Sequence, residues 1–214
     1  MTEKTTELVF ILDRSGSMSG LESDTIGGFN AMLKKQRKEE GKCLVSAVLF
    51  DHRFKVLHDR VPIDQVKDMT EEDYQVGGAT ALVDAIARSI HHIGNIHKYA
   101  RKEDVPDHTM FVITTDGMEN ASKEYSSDEL KRMIRRQEEQ YGWEFLFIGA
   151  NIDAVETAAH FGIRKQNAVD YHADPMGTAI VFNNIANAVS SMRSKGRVSE
   201  SWSEEIRADY KKRK

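Results

Sequence analysis

The segment Glu7 to Asp13 is nearly continuous in apolar residues and stops at a carboxylate. A strand with one wet face alternates apolar and polar residues, whereas a run without alternation belongs to a strand covered on both faces, as parallel strands are. Thr109 to Thr114, which leads into Thr115-Asp116-Gly117, and Trp143 to Gly149 repeat the pattern. Parallel strands need crossover connections, and the chain supplies helical ones. Leu21, Ile26, Phe29, Met32 and Leu33 follow the first run at helical spacing, with Lys34, Lys35, Arg37 and Lys38 where cations suit the helix dipole. Leu82, Ile86, Ile90, Ile93 and Ile96 follow the break Gly77-Gly78, and Thr80 is expected as the N-cap of that helix. Ser126 and Glu129 form a capping box ahead of Leu130, Met133 and Ile134. Ala154 to Phe161 gives a further helix, and Asp174-Pro175 opens one that runs to about Arg193.

One connection breaks the parallel rule. Cys43 to Phe50 and Arg53 to Val61 are strand-like runs separated only by Asp51 and His52, which suffices for an antiparallel hairpin and never for a crossover. The fold class is therefore α/β, a doubly wound, Rossmann-like three-layer sandwich with a mostly parallel sheet and one antiparallel strand. A short run at Ala168 to Tyr171 adds a last strand, and the acidic stretch Asp64 to Asp73 is expected to hold a short helix. Residues 1–195 read as one domain. Residues 196–214 lose apolar periodicity and end in Lys211-Lys212-Arg213-Lys214, so they are expected as an exposed or partly helical basic tail that Trp202 and Ile206 could pin to the body.

Thirty Lys and Arg against thirty-four Asp and Glu give a net charge of −4, with both signs mixed, so neither nucleic acid nor a membrane surface is expected as a partner. The polar start and the shortness of the longest apolar runs, Leu8 to Leu12 and Phe145 to Ile148, lead to a cytoplasmic expectation. Cys43 is the lone cysteine and reads as a core residue of its strand. His91, His92 and His97 lack the Cys or acid partners of a zinc set and read as solvated or half-buried.

In open α/β sheets ligands bind beyond the carboxyl ends of the strands. Asp13-Arg14-Ser15-Gly16-Ser17 places a carboxylate and two hydroxyls in one tight turn after the first strand. Asp116 follows another strand, and Thr80 lies on a glycine-flanked loop that can fold over the same edge. Five hard oxygen donors, Asp13, Ser15, Ser17, Thr80 and Asp116, would then converge. Oxygen donors without Cys or His select Mg²⁺ or Mn²⁺, with Mg²⁺ the physiological expectation. Two carboxylates at most neutralise such an ion, so an Asp or Glu from a partner protein could bind it.

The series Asp13-x-Ser15-x-Ser17, Thr80 and Asp116 in Thr-Asp-Gly resembles the metal-ion-dependent adhesion site (MIDAS) of von Willebrand factor A (vWA) domains. The likeness covers roughly residues 5–195. It implies a six-stranded sheet with one antiparallel edge, with the two Ser holding the ion directly, the two Asp holding it largely through water, and Thr80 joining when an acidic partner binds. With one cysteine and no stalk, the chain is similar to the intracellular bacterial branch of that family and not to an adhesin.

The function expected is thus a Mg²⁺-dependent protein-binding module and not an enzyme. One alternative is a Mg²⁺-dependent phosphohydrolase, which Ser15 at the second acidic position of an Asp-x-Asp pattern disfavours. Another is an adaptor to an ATPase or a stress-response complex. Gly78, Glu119, Asn151 and Asp153 are candidates, by position alone, for the rim of the site or for residues that hold its ligands in place.

Overall fold

The computed structural model describes residues 4–213. Its centre is a six-stranded sheet built from β1 (Thr5–Asp13), β2 (Lys42–Phe50), β3 (Phe54–Pro62), β4 (His108–Thr115), β5 (Glu144–Ala150) and β6 (Ala168–Tyr171). The order is β3-β2-β1-β4-β5-β6, and every pairing is parallel except β2 with β3. The helices are α1 (Glu22–Gln36), α2 (Leu82–Tyr99), α3 (Ser127–Tyr141), α4 (Ala154–Phe161), α5 (Pro175–Lys195) and α6 (Glu204–Lys212). None is long and apolar enough to cross a membrane.

The unalternating β1 sequence is explained by its two buried faces. Leu8, Phe10 and Leu12 enter one core with Phe29 and Leu33 of α1 and Val181, Ile185 and Val189 of α5. Val9 and Ile11 enter the other with Ile86 and Ile90 of α2, Leu130 and Ile134 of α3 and Ala158 of α4. Alternate residues of one strand thus feed both layers. Cys43 is 3% exposed in the first core, and burial pushes its thiol up to about 11. Gly28 permits the close approach of α1 to α5, since a Cβ there would lie 2.3 Å from Phe182 Cδ2.

One expectation is corrected. Asp64 to Asp73 forms turns and irregular backbone with no helix, because other elements take its backbone groups. Asn30 donates to Met69 O and accepts from Met69 N, both at 2.8 Å, while Arg37 donates to Val66 O. Val66, Met69 and Tyr74 then anchor the strap in the core. Of the two forms expected for the C-terminal residues, the partly helical one is found: α6 lies along β6, pinned by Trp202 and Ile206, 4% and 1% exposed. The Trp202 indole donates to Gln166 O just before β6 and Arg207 donates to Ala168 O at the start of that edge strand, so these backbone carbonyls find side-chain partners. Arg213 pairs with Asp174, the N-cap of α5.

Candidate metal centre

Strand register puts the site together. Asp13 pairs with Phe50 at the end of β1, while Leu12 is level with Thr114 of β4, so Asp13 and Thr115 emerge side by side at the carboxyl edge. Thr115 Oγ1 donates to Asp13 Oδ2 at 2.6 Å and Ser15 N donates to Asp13 Oδ1 at 2.7 Å. Tyr74 Oη donates to the Asp13 carbonyl. Asp13, wholly buried, is thereby held from three directions.

The remaining donors gather beside it. Ser15 Oγ and Ser17 Oγ are 3.0 Å apart, and Ser17 Oγ donates to Asp116 Oδ1 at 2.5 Å. Gly117 marks the centre of the hydroxyl set: a Cβ there would stand 2.9 Å from Ser17 Oγ, 3.1 Å from Thr80 Oγ1 and 3.8 Å from Ser15 Oγ. The three loops are laced by backbone bonds, Gly16 N to Gly78 O, Gly77 N to Arg14 O and Asn120 N to Thr80 O. Gly77 and Gly78 have φ of +156° and +81°, which suits glycine and lets the loop turn back over the sheet edge.

The electrostatics call for a cation. Burial raises the Asp13 pKa first of all, and the nearby Asp116 charge adds to it, against the hydrogen bonds from Thr115 and Ser15. Burial likewise raises Asp116, against the bond from Ser17. Asp116 Oδ2 is buried and makes no hydrogen bond. The nearest basic residue in sequence, Arg14, pairs with Asp51 instead. Two adjacent buried carboxylates, one with an orphaned oxygen, are stable as anions when a positive charge joins them. Among the described residues no group of three or more His, Cys, Asp or Glu gathers as a metal site. The donor set at this notch, two carboxylates and three hydroxyls, fits a hard divalent cation.

The structure thus brings Asp13, Ser15, Ser17, Thr80 and Asp116 together; of the other candidates, Gly78 and Glu119 brace the loops that carry these donors. Gly78 contributes backbone, and a Cβ there would strike His52 Nδ1 at 2.3 Å. Glu119 is consumed in bonds from Val83 N, Ala121 N, Ser122 N and Ser122 Oγ. Asp153 caps α4 by accepting from Glu156 N, and Asn151 is an exposed residue at φ 55° just after β5. No hydrogen bond joins either to the five donors among the described residues. Thr80 is not the N-cap of α2; Ala81 holds that position without a side-chain bond. Thr115 and Tyr74, which hold Asp13, escape sequence reasoning because they reach it across 102 and 61 residues.

A mixed sheet with this strand order and an oxygen-lined notch at its carboxyl edge defines a von Willebrand factor A type α/β domain. The model of the family described as VWA domain containing CoxE-like protein matches residues 2–142, and the chain belongs to that family. Several solved structures share the fold. The von Willebrand factor type A protein from Catenulispora acidiphila is 14% identical with a TM-score of 0.61, over 88% of this chain and 43% of that one. The vWF domain of the type V pili tip protein Mfa5 from Porphyromonas gingivalis is 12% identical with a TM-score of 0.63, over 94% and 100%. Proximal thread matrix protein 1 from the mussel byssus, in a structure with a zinc-occupied MIDAS motif, is 14% identical with a TM-score of 0.59, over 88% and 46%. The chain therefore spans less than half the length of the first and third, and at these identities the likeness is one of fold. Comparison with curated proteins finds no match.

Proposed function

We propose that this chain is a Mg²⁺-dependent protein-binding module that accepts an Asp or Glu side chain of a partner protein at the notch. The observation that carries this is the convergence of three neutral hydroxyls on two buried carboxylates, one of which has an oxygen without a partner. Ser15, Ser17 and Thr80 would hold the ion directly, while Asp13, already engaged by Thr115 and the Ser15 amide, and Asp116 supply charge close by. Bound there, Mg²⁺ supplies an electrophilic coordination position for a carboxylate oxygen, since two Asp at most cancel its charge. The zinc-occupied site of the mussel protein supports a divalent ion at such a motif; the all-oxygen donor set here favours Mg²⁺.

A binding role is favoured over hydrolysis by what surrounds the hydroxyls. Ser15 and Ser17 bond to each other and to Asp116, and among the described residues no His or Lys contacts them as a general base. The test is affinity capture from a lysate of the source cell on the immobilised chain, in Mg²⁺ or in EDTA, with Asp13→Ala as control. A protein retained only by the unaltered chain in Mg²⁺ is expected. Capture indifferent to both EDTA and the substitution overturns the reading.

A further inference from the structure

Met118 stands out in a loop whose polar side chains are all committed. Thr115 Oγ1 donates to Asp13, Asp116 accepts from Ser17, Glu119 accepts from Val83 N, Asn120 Oδ1 accepts from Thr80 N and Ser122 Oγ accepts from Asp84 N. Met118, in the middle of this run, is 72% exposed. Single exposed apolar residues are common on protein surfaces and by themselves mean little. Place distinguishes this one. Of the five large apolar side chains exposed among the described residues, Val56 lies on β3, and Tyr99, Tyr141 and Met176 lie on α2, α3 and α5. Only Met118 belongs to the three loops laced around the notch.

The loop holds Met118 in place from both sides. Gly117 N donates to Thr115 Oγ1 at 3.3 Å before it, while Asn120 N and Ala121 N both donate to Thr80 O after it, at 3.0 and 3.2 Å. A side chain on a backbone fixed in this way needs little further ordering when a partner covers it. The chain itself sets its distance from the metal centre. A Cβ on Gly117 would stand among the Ser17, Thr80 and Ser15 hydroxyls, and Met118 is one peptide further on, about 3.8 Å between Cα atoms. Two residues separate it from Asp116, so the two Cα atoms are within about 7 Å of each other. An extended polypeptide has the same spacing, since side chains two residues apart point to one face about 6.6 Å apart. A partner segment that sends an Asp or Glu into the notch therefore sends the side chains two residues away toward the same surface, within reach of Met118.

We propose that the partner segment carries a large apolar residue two positions from its acidic one, and that this residue packs on Met118. This rests on the reading of the notch as a carboxylate acceptor, and it adds what selects among acidic segments. A thioether suits the role because it is unbranched and polarizable and packs on aliphatic and aromatic side chains alike. The probes are N-acetylated, C-amidated nonapeptides of Gly and Ser around one central Glu, with Leu or Ser two residues before or after it, titrated into the full chain by amide NMR shifts in Mg²⁺ and in EDTA. In Mg²⁺ the peptide with Leu on one of the two sides is expected to bind about five- to tenfold tighter than its Ser counterpart, the gain from taking part of two apolar side chains out of water. Met118→Ser, a surface change compatible with folding, should erase the difference between the two peptides. Met118→Leu should keep it, and so should Val56→Ser, at an exposed apolar position away from these loops. Equal affinity of the Leu and Ser peptides for the unaltered chain overturns the inference and leaves the metal reading standing, as does a Leu advantage that persists in Met118→Ser or in EDTA. Binding of neither peptide in Mg²⁺ removes both.

Discussion

Gly117→Ala tests the metal centre with a single methyl group. The ideal Cβ lies 2.9 Å from Ser17 Oγ and 3.1 Å from Thr80 Oγ1. Carbon and oxygen settle at about 3.5 Å or beyond, so each hydroxyl must withdraw by roughly half an ångström. A Mg²⁺–oxygen bond of about 2.1 Å in near-ideal octahedral geometry does not tolerate such a shift. Two of the three neutral donors are then exchanged for water, and a loss of about 2–3 kcal/mol corresponds to roughly 30- to 150-fold weaker binding. The fold should not suffer, because Gly117 is not among the residues of positive φ and alanine there meets no backbone strain. Stability without metal should stay within about 1 kcal/mol of the unaltered chain. Calorimetric titration of Mg²⁺, paired with a thermal melt in EDTA, reads both quantities. Unchanged Mg²⁺ affinity in a folded Gly117→Ala chain would refute the assignment of these hydroxyls as ligands.

Chelation should act through the same donors: at Mg²⁺ one hundred times its dissociation constant, binding adds about 2.7 kcal/mol. For a domain of this size EDTA should then lower Tm by roughly 5–10 °C, and Asp13→Ala should abolish that difference. Trp202→Ala should cost about 3–5 kcal/mol in urea unfolding and speed amide exchange in β6, since α6 loses its largest anchor and the Gln166 carbonyl its partner; a loss under 1 kcal/mol would mean that α6 is not docked. His108 should make stability fall with acid. Its Nε2 is buried without a partner, and burial, with Lys4 nearby, lowers its folded pKa below the usual 6.5. The unfolded chain then takes the proton first, so this contribution is whole above about pH 6.5 and is lost as pH falls through the depressed folded value. Urea midpoints between pH 7.5 and 5.5 should drop more for the unaltered chain than for His108→Gln, and equal slopes would contradict the assignment.

The parts of this molecule that were legible in the sequence are those whose causes are local. Ser126 and Glu129 close a capping box within one turn, Asp174-Pro175 starts α5 within two residues, and the short link Asp51-His52-Arg53 forces a hairpin because no crossover fits in three residues. The donors Asp13, Ser15 and Ser17 share one turn, so their convergence could be read directly. Failures arose where a distant partner decided the outcome. The acidic strap 64–73 has residues that could form a helix, yet Asn30 and Arg37 claim its backbone. By contrast, the end of the chain, expected as exposed or partly helical, takes the helical form because Trp202 and Ile206, four residues apart, are buried, while Trp202 and Arg207 donate to the carbonyls of Gln166 and Ala168.

Thr80 and Glu119 show how a misplaced cap bears on the metal centre. A threonine just ahead of an apolar helical run is ordinarily spent on the helix's first amides. Here Glu119 and Ser122 take that work from 36 and 38 residues away, accepting from Val83 N and Asp84 N. Asp84 returns the tie by accepting from Lys123 N, Glu124 N and Tyr125 N. The segment after Asp116 and the first turn of α2 are thus clamped to each other, and the Thr80 hydroxyl is released to stand beside Ser15 and Ser17. Glu119, a rim candidate by position, belongs to the scaffold that lets Thr80 serve as a ligand. The same residue types, read locally, would have capped a helix and left the notch one donor short.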